Sequence, residues 1–233
     1  MSRSSEEAPA PAPAGGGASL ADRLREHTRA VHAEAERSGI VAELLAGRGG
    51  RDGWALLLRN LHPAYACLEA ELERRRDHPA LAPIAVRAVY RAAAIEADLV
   101  ALAGPAWGDL LPLLPAGERY ARRVQEAADR DGARLLAHAY TRFLGDLNGG
   151  RVLARLLSRA FDLGPEVRHF FAYPEAGDLA AARDAYRRAI DAAGARIDAE
   201  AAADEALTAF RLNIEVSDAV ARAVRGAPAA GRA

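Results

Sequence analysis

The chain has 233 residues, 31 basic and 32 acidic, for a formal net charge of −1. Acids and bases are interspersed, which excludes a basic nucleic-acid-binding surface. The single cysteine, Cys67, excludes disulfides, four-cysteine zinc sites and iron–sulfur clusters.

Hydrophobic residues make up 51% of the chain but aromatics only 6%. Alanine and leucine dominate, and apolar positions recur at helical spacing. The expected fold class is therefore all-α, a single-domain bundle of roughly seven to nine helices. No run reaches the roughly 18 apolar residues of a membrane span, so the expected setting is the cytoplasm, without membrane contact. Every base is arginine, which bars lysine chemistry, and Met1 is the only methionine, which bars an axial thioether.

Residues 1–18 (MSRSSEEAPAPAPAGGGA) lack the apolar stretch of a signal peptide and read as a disordered extension. The helical domain is expected over 19–225, followed by a flexible tail over 226–233. The first helix runs from about Ser19 to Arg37, with Ser19 as N-cap and Asp22 three residues on. His32 lies near its apolar face, and Glu36 follows at i+4, within side-chain reach. His32 is then either a partly buried histidine with a salt-bridged neighbour or a metal-ligating imidazole oriented by Glu36. His27 lies on the more polar side. A short helix covers Ile40 to Ala46, and a longer one Arg51 to Arg76, where Pro63 is expected to kink the chain. Helices are expected over Ile84–Ala103 and Ala116–Ala128, with a loop over Trp107–Pro115 between them. Leu179–Ala193 and Ala199–Arg225 form the last two.

The densest information lies in His138–Arg151, HAYTRFLGDLNGGR. Helical periodicity runs through it, yet it carries Gly145, Gly149 and Gly150, each costing about 1 kcal/mol relative to alanine inside a helix. Two explanations stand open. A second helix packs on the bare face of Gly145 and Gly149, or a flat rigid ligand lies against exposed backbone. Asp146, on a mostly apolar helix, needs a partner or a wet cavity. A di-iron centre needs two Glu-x-x-His copies, and only Glu166–His169 fits. What survives is an imidazole on one helix, a glycine-floored helix, and arginines at 25, 183 and 187 that suit an anionic ligand. A planar dianionic iron macrocycle matches that set.

At these residues the chain resembles the biliverdin-producing heme oxygenases, of the soluble bacterial type, over roughly residues 20–220. The stretches that carry the resemblance are LREHTRAVH (24–32) with Glu36, AIEADL (94–99) leading to GPAW (104–107), Arg119-Tyr120, LAHAYTRFLGDLNGG (136–150), FFAYP (170–174) and TAFRLNI (208–214). The resemblance implies that His32 is the axial ligand of heme iron and Glu36 its partner. It implies that Gly145, Gly149 and Gly150 form the distal floor, and that Asp146 anchors a water network with Tyr65, Thr141, Arg142 and Asn213. Arg25, Tyr140, Arg183 and Arg187 fall around the heme propionates, and Phe210 on the pocket wall. Arg25 and Arg183 stand where mammalian members have lysine, Asn148 replaces a serine, and Pro63 puts the placement of Tyr65 in question.

The implied reaction opens heme, as both substrate and cofactor, to biliverdin, CO and ferrous iron through meso-hydroxylation. It consumes O2 and electrons from an external ferredoxin or flavoprotein donor, since no flavin or nicotinamide motif occurs. The implied protein is a monomer. Alternative readings on the same bundle are a non-catalytic heme carrier or sensor, and a thiaminase-like or di-iron enzyme.

Overall fold

Ser19 caps the first helix as its side chain accepts from the Asp22 amide at 3.3 Å, and the Ser19 hydroxyl donates to Asp22 Oδ2 at 3.0 Å. The computed structural model describes residues 18–161 and 163–226, with no side-chain detail for Arg151 and Val152. The extension and the tail expected from sequence lie outside the described residues except for Ala18 and Gly226.

Among the described residues every regular element is helical. In chain order these are α1 (Leu20–Ala35), α2 (Gly39–Leu45), α3 (Gly50–Arg74), α4 (Ala92–Ala103), α5 (Trp107–Leu110), α6 (Pro115–Arg130), α7 (Gly132–Ala139), α8 (Gly145–Phe161), α9 (Leu179–Gly194) and α10 (Ala199–Gly226). A π-helical turn, Tyr140–Leu144, joins α7 and α8 into one rod. No described helix is long and apolar enough to cross a membrane.

α3 forms the central post and packs on α4 and α6, while α10 packs on α1, α2 and α7. The core between them is leucine-rich: Leu58, Leu68 and Leu72 of α3 and Leu135 and Leu136 of α7 are fully enclosed. Gly117 allows α6 to approach α3 closely, because a Cβ there would stand 2.7 Å from the Asn60 carbonyl oxygen. A buried charged cluster fixes α6 and α7 to α10. Glu205 receives a bidentate contact from Arg123 and lies 3.0 Å from His138 Nε2. Burial opposes ionisation of Glu205, but His138 and Arg123 outweigh it and hold the carboxyl at about 2.

Three elements depart from the sequence expectation. The helix expected over Ile84–Ala103 begins only at Ala92; before it stand the 3-10 turns Ala82–Ile84 and Arg87–Val89. The cause is tertiary: Glu69 of α3 accepts from the Arg91 and Ala92 amides at 2.5 and 2.9 Å and fixes the helix start there. The loop expected over Trp107–Pro115 contains the single turn α5. α3 runs through Pro63 without interruption, and Tyr65 beyond it is fully enclosed.

Candidate functional site

α1, the α7–α8 rod, α9 and the middle of α10 enclose a cleft with two connected lobes. The outer lobe, about 600 Å³, is lined by His32 and Glu36, Tyr140, Gly145 and Gly149, and the arginines Arg25, Arg183 and Arg187. The inner lobe, about 370 Å³, shares His32 and the glycines and continues to Asp146, Trp54 and Phe171.

The two explanations for the glycines now separate. Among the described residues, outside the helix's own backbone and the adjoining residues, a Cβ built on Gly145 or Gly149 would meet no heavy atom within 4 Å, and one on Gly150 would reach only the Phe171 ring at 3.5 Å. No described neighbour packs on Gly145 or Gly149; their bare backbone borders the cleft. Gly117 shows what a packing glycine looks like in this chain, and these two differ from it.

His32 stands on the α1 side of the same space, its side chain 52% exposed. Its Nδ1 faces Glu36 Oε1 at 3.8 Å, and Phe210 of α10 meets the ring edge-on with centroids 5.4 Å apart. The i+4 spacing on one helix produces the first contact, and the packing of α10 on α1 produces the second. His27 lies away from the cleft, 3.6 Å from Asp204. His169, the candidate from Glu-x-x-His, pairs with Asp98 instead, at 2.8 Å. No group of three or more His, Cys, Asp or Glu suited to a metal ion occurs among the described residues, so the di-iron alternative has no site there.

Asp146 carries the unusual electrostatics. Its side chain is 9% exposed; Oδ2 accepts from the Tyr65 hydroxyl at 2.6 Å, and Oδ1 faces Arg142 Nη2 at 3.7 Å. Burial raises its pKa from 3.8 to about 6, against the pull of Arg142 and Tyr65. Burial also opposes the Arg142 charge, but Tyr65, Tyr120 and Asp146 around it keep the guanidinium cationic. Asn213 of α10 accepts from Arg142 and donates to the Ala209 carbonyl at 3.0 Å. Thr141 is buried at the same level, but its hydroxyl bonds the Ala137 carbonyl at 2.9 Å rather than joining Asp146.

At the outer lobe, Arg187 pairs with Asp22 at 2.7 Å and Arg183 with Asp184 at 2.9 Å, each side chain more than one-third exposed. Burial raises the Tyr140 pKa, while Thr28 and the charges of Arg25 and Arg187 pull it down, which places that hydroxyl among cations. All fifteen residues singled out from sequence are thus placed: most line the cleft, while Tyr65 supports Asp146 from behind.

Sequence reasoning missed the inner wall. Trp54 stacks on Phe171 with centroids 5.3 Å apart, and Phe170 meets Tyr65 edge-on at 6.0 Å. The FFAYP run was the only signal for it; Trp54 reads as one more apolar position of α3. The π turn had no signal. It sets Tyr140–Leu144 one residue out of α-helical phase immediately before Gly145.

An all-helical bundle that brings an imidazole, bare helix backbone, a buried carboxylate and several arginines to one cleft offers a site suited to a flat anionic ligand that binds through a metal. The heme oxygenase family model matches residues 18–219. Human heme oxygenase 1 is 35% identical over 201 residues, covering 84% of this chain and 70% of the human protein. Heme oxygenase 1 of Synechocystis is 33% identical over 198 residues, covering 84% of this chain and 82% of that protein. The crystal structure of the Synechocystis enzyme in complex with heme superimposes with a TM-score of 0.84 at 32% identity, covering 89% of this chain and 95% of that one. The heme oxygenase of Leptospira interrogans gives 0.81 at 28% identity, covering 87% and 100%. The chain belongs to the heme oxygenase family, enzymes that degrade heme to biliverdin.

Proposed function

We propose that this chain opens heme to biliverdin, CO and ferrous iron with O2 and electrons from an external ferredoxin or flavoprotein, and that the cleft described above is where it does so. One observation carries the reading: Gly145 and Gly149 present bare backbone to the same cleft that the His32 imidazole lines. Heme, at once substrate and cofactor, supplies the redox iron and the ring that is oxidised.

The residues divide the remaining work. His32, with Nδ1 turned toward Glu36, would hold the heme iron through Nε2, and Phe210 braces the imidazole by its edge contact. Arg25, Arg183 and Arg187, with Tyr140, take the carboxylates at the rim; the guanidinium fork suits a carboxylate better than a point charge does. Gly145, Gly149 and Gly150 keep side chains out of the oxygen side. Asp146, positioned by Tyr65 and Arg142, would order water in the cleft and exchange protons with it through its carboxyl oxygens. Asn213 orients Arg142, and Thr141 forms part of the cleft surface. A monomer in the cytoplasm fits a diffusing electron donor that reaches the cleft mouth.

Heme titrated into the purified chain, followed by ascorbate or a reduced ferredoxin system in air, tests the reading. The Soret band should form, then bleach as biliverdin absorption grows. A Soret band that persists under reductant and O2 identifies a carrier or sensor instead, and no Soret band removes heme from the site. His32→Ala should alter the ferric spectrum and abolish turnover, with Glu36→Gln milder because it touches only imidazole orientation and basicity.

A further inference from the structure

Two buried charges stand behind the inner wall, and one of them, Arg91, also pulls the Asp146 pKa down through its charge. Asp98 of α4 is fully enclosed; Oδ1 accepts from the His169 amide at 2.7 Å and lies 2.8 Å from His169 Nδ1, while Oδ2 accepts from the Phe170 amide at 2.9 Å. Arg91, 5% exposed, donates to the carbonyls of Phe170 and Ala172, and its guanidinium carbon lies 3.8 Å from the centre of the Tyr173 ring. An acid therefore takes the backbone donors of one short segment, and a base takes its acceptors.

Apolar side chains in the same space would leave those backbone amides and carbonyls unpaired. What charges supply is directional hold. The segment is built of 3-10 turns, Pro165–Val167 and His169–Phe171, whose few internal hydrogen bonds fix it weakly. The segment also presents two rings inward. Phe170 meets Trp54 at 5.9 Å and Tyr65 at 6.0 Å, Phe171 stacks on Trp54, and Tyr65 is the donor to Asp146.

We propose that Asp98 and Arg91 are positioning residues: they clamp segment 169–172 by its backbone, fix the Phe170–Phe171 wall, and through Phe170 hold the Tyr65 hydroxyl on Asp146. The clamp stands on geometry; its effect on turnover rests on the heme-degrading reading.

Trp107→Phe leaves Trp54 as the sole tryptophan and provides the parent for the test. In that parent, Asp98→Asn keeps the size but turns an NH2 toward a backbone donor. Amide exchange at His169 and Phe170 should accelerate at least ~10-fold, while α3 core amides keep their rates. Trp54 emission should shift to the red, with several-fold stronger quenching by acrylamide. With heme and reductant, kcat should fall more than KM rises, and the pH profile should lose the limb that Asp146 provides. Arg91→Lys should fall between the two, because it keeps the charge and loses the fork. If Asp98→Asn does not fold, Arg91→Lys carries the same readings. Faster exchange at 169–170 with Trp54 emission and the pH profile both unchanged would overturn the proposal, since the segment would then loosen without moving the wall. A parent chain that forms no biliverdin overturns the functional reading instead, and the Trp54 and exchange readings still decide the clamp.

Discussion

Alanine at Gly145 and Gly149 isolates what the bare backbone is for. Gly145 sits at φ −59°, neither position has positive φ, and a Cβ at either meets no described neighbour within 4 Å beyond its own stretch of helix. With no clash and no backbone strain, each replacement should gain most of the helix-propensity difference, about 1 kcal/mol. The double variant should be about 1.5 to 2 kcal/mol more stable without heme. For a domain of this size that raises Tm by about 3 to 8 °C, readable by circular dichroism at 222 nm. Gly117→Ala supplies the control and should destabilise, since its Cβ would stand 2.7 Å from a backbone oxygen. In the same double variant two methyl groups enter the cleft, so heme affinity should fall by roughly tenfold or more, and turnover with it. The reasoning is refuted if Gly145→Ala/Gly149→Ala melts below the parent in the manner of Gly117→Ala, because these glycines would then serve packing. It is equally refuted if the variant is stabilised yet binds and degrades heme like the parent.

Asp146→Asn should remove a pH dependence of stability. The unfolded carboxyl titrates near 3.8 and the folded one near 6, so between those values the folded chain holds the extra proton and stability falls as pH rises. The variant lacks that slope; urea unfolding at pH 4.5 and 7.5 should show its stability relative to the parent improving by about 2 kcal/mol toward the higher pH, while biliverdin formation is lost. Replacing Arg25, Arg183 and Arg187 one at a time by glutamate should weaken heme binding or change the biliverdin isomer ratio, measured by titration and chromatography. Unchanged behaviour in all three would assign them to the solvated surface. Glu205→Gln strands Arg123 and His138 beside a neutral amide and should cost about 3 to 5 kcal/mol in chemical denaturation, with no change in the heme spectrum of the molecules that remain folded.

The helices were legible because their signals are local. Ser19 with Asp22 marks a start, and the 3.6 period marks the buried faces of α1, α3 and α10. Positions set by distant partners were not legible. The start of α4 depends on Glu69, 22 residues before the Arg91 amide it binds, and propensity alone runs the helix back to Ile84. Likewise Pro63 suggested a disturbed Tyr65, but burial on α3 and the bond to Asp146 override one lost backbone hydrogen bond. Within the site, residues that break a local rule were visible from sequence: interior glycines, a carboxylate among apolar neighbours, a histidine four before a glutamate. Residues that obey local rules, such as Trp54 and Phe170, were hidden among core positions.

That contrast shows how the chain divides stability from chemistry. Residues 140–150 gather a π turn, three glycines and a buried carboxylate, each unfavourable alone, within one stretch of helix. The glycines withhold side chains, so the cleft floor is backbone. The carboxylate beside that floor is shifted toward neutrality by burial, then restrained by Arg142 on one oxygen and Tyr65 on the other. A carboxyl at 3.8 would never hold a proton near pH 7, and an unrestrained buried one would seldom release it. Near 6, Asp146 is ionised for most of the time and protonated for a useful fraction, as a group that passes protons requires. Moving Arg142 or Tyr65 should therefore change the rate through the Asp146 titration before it changes the fold.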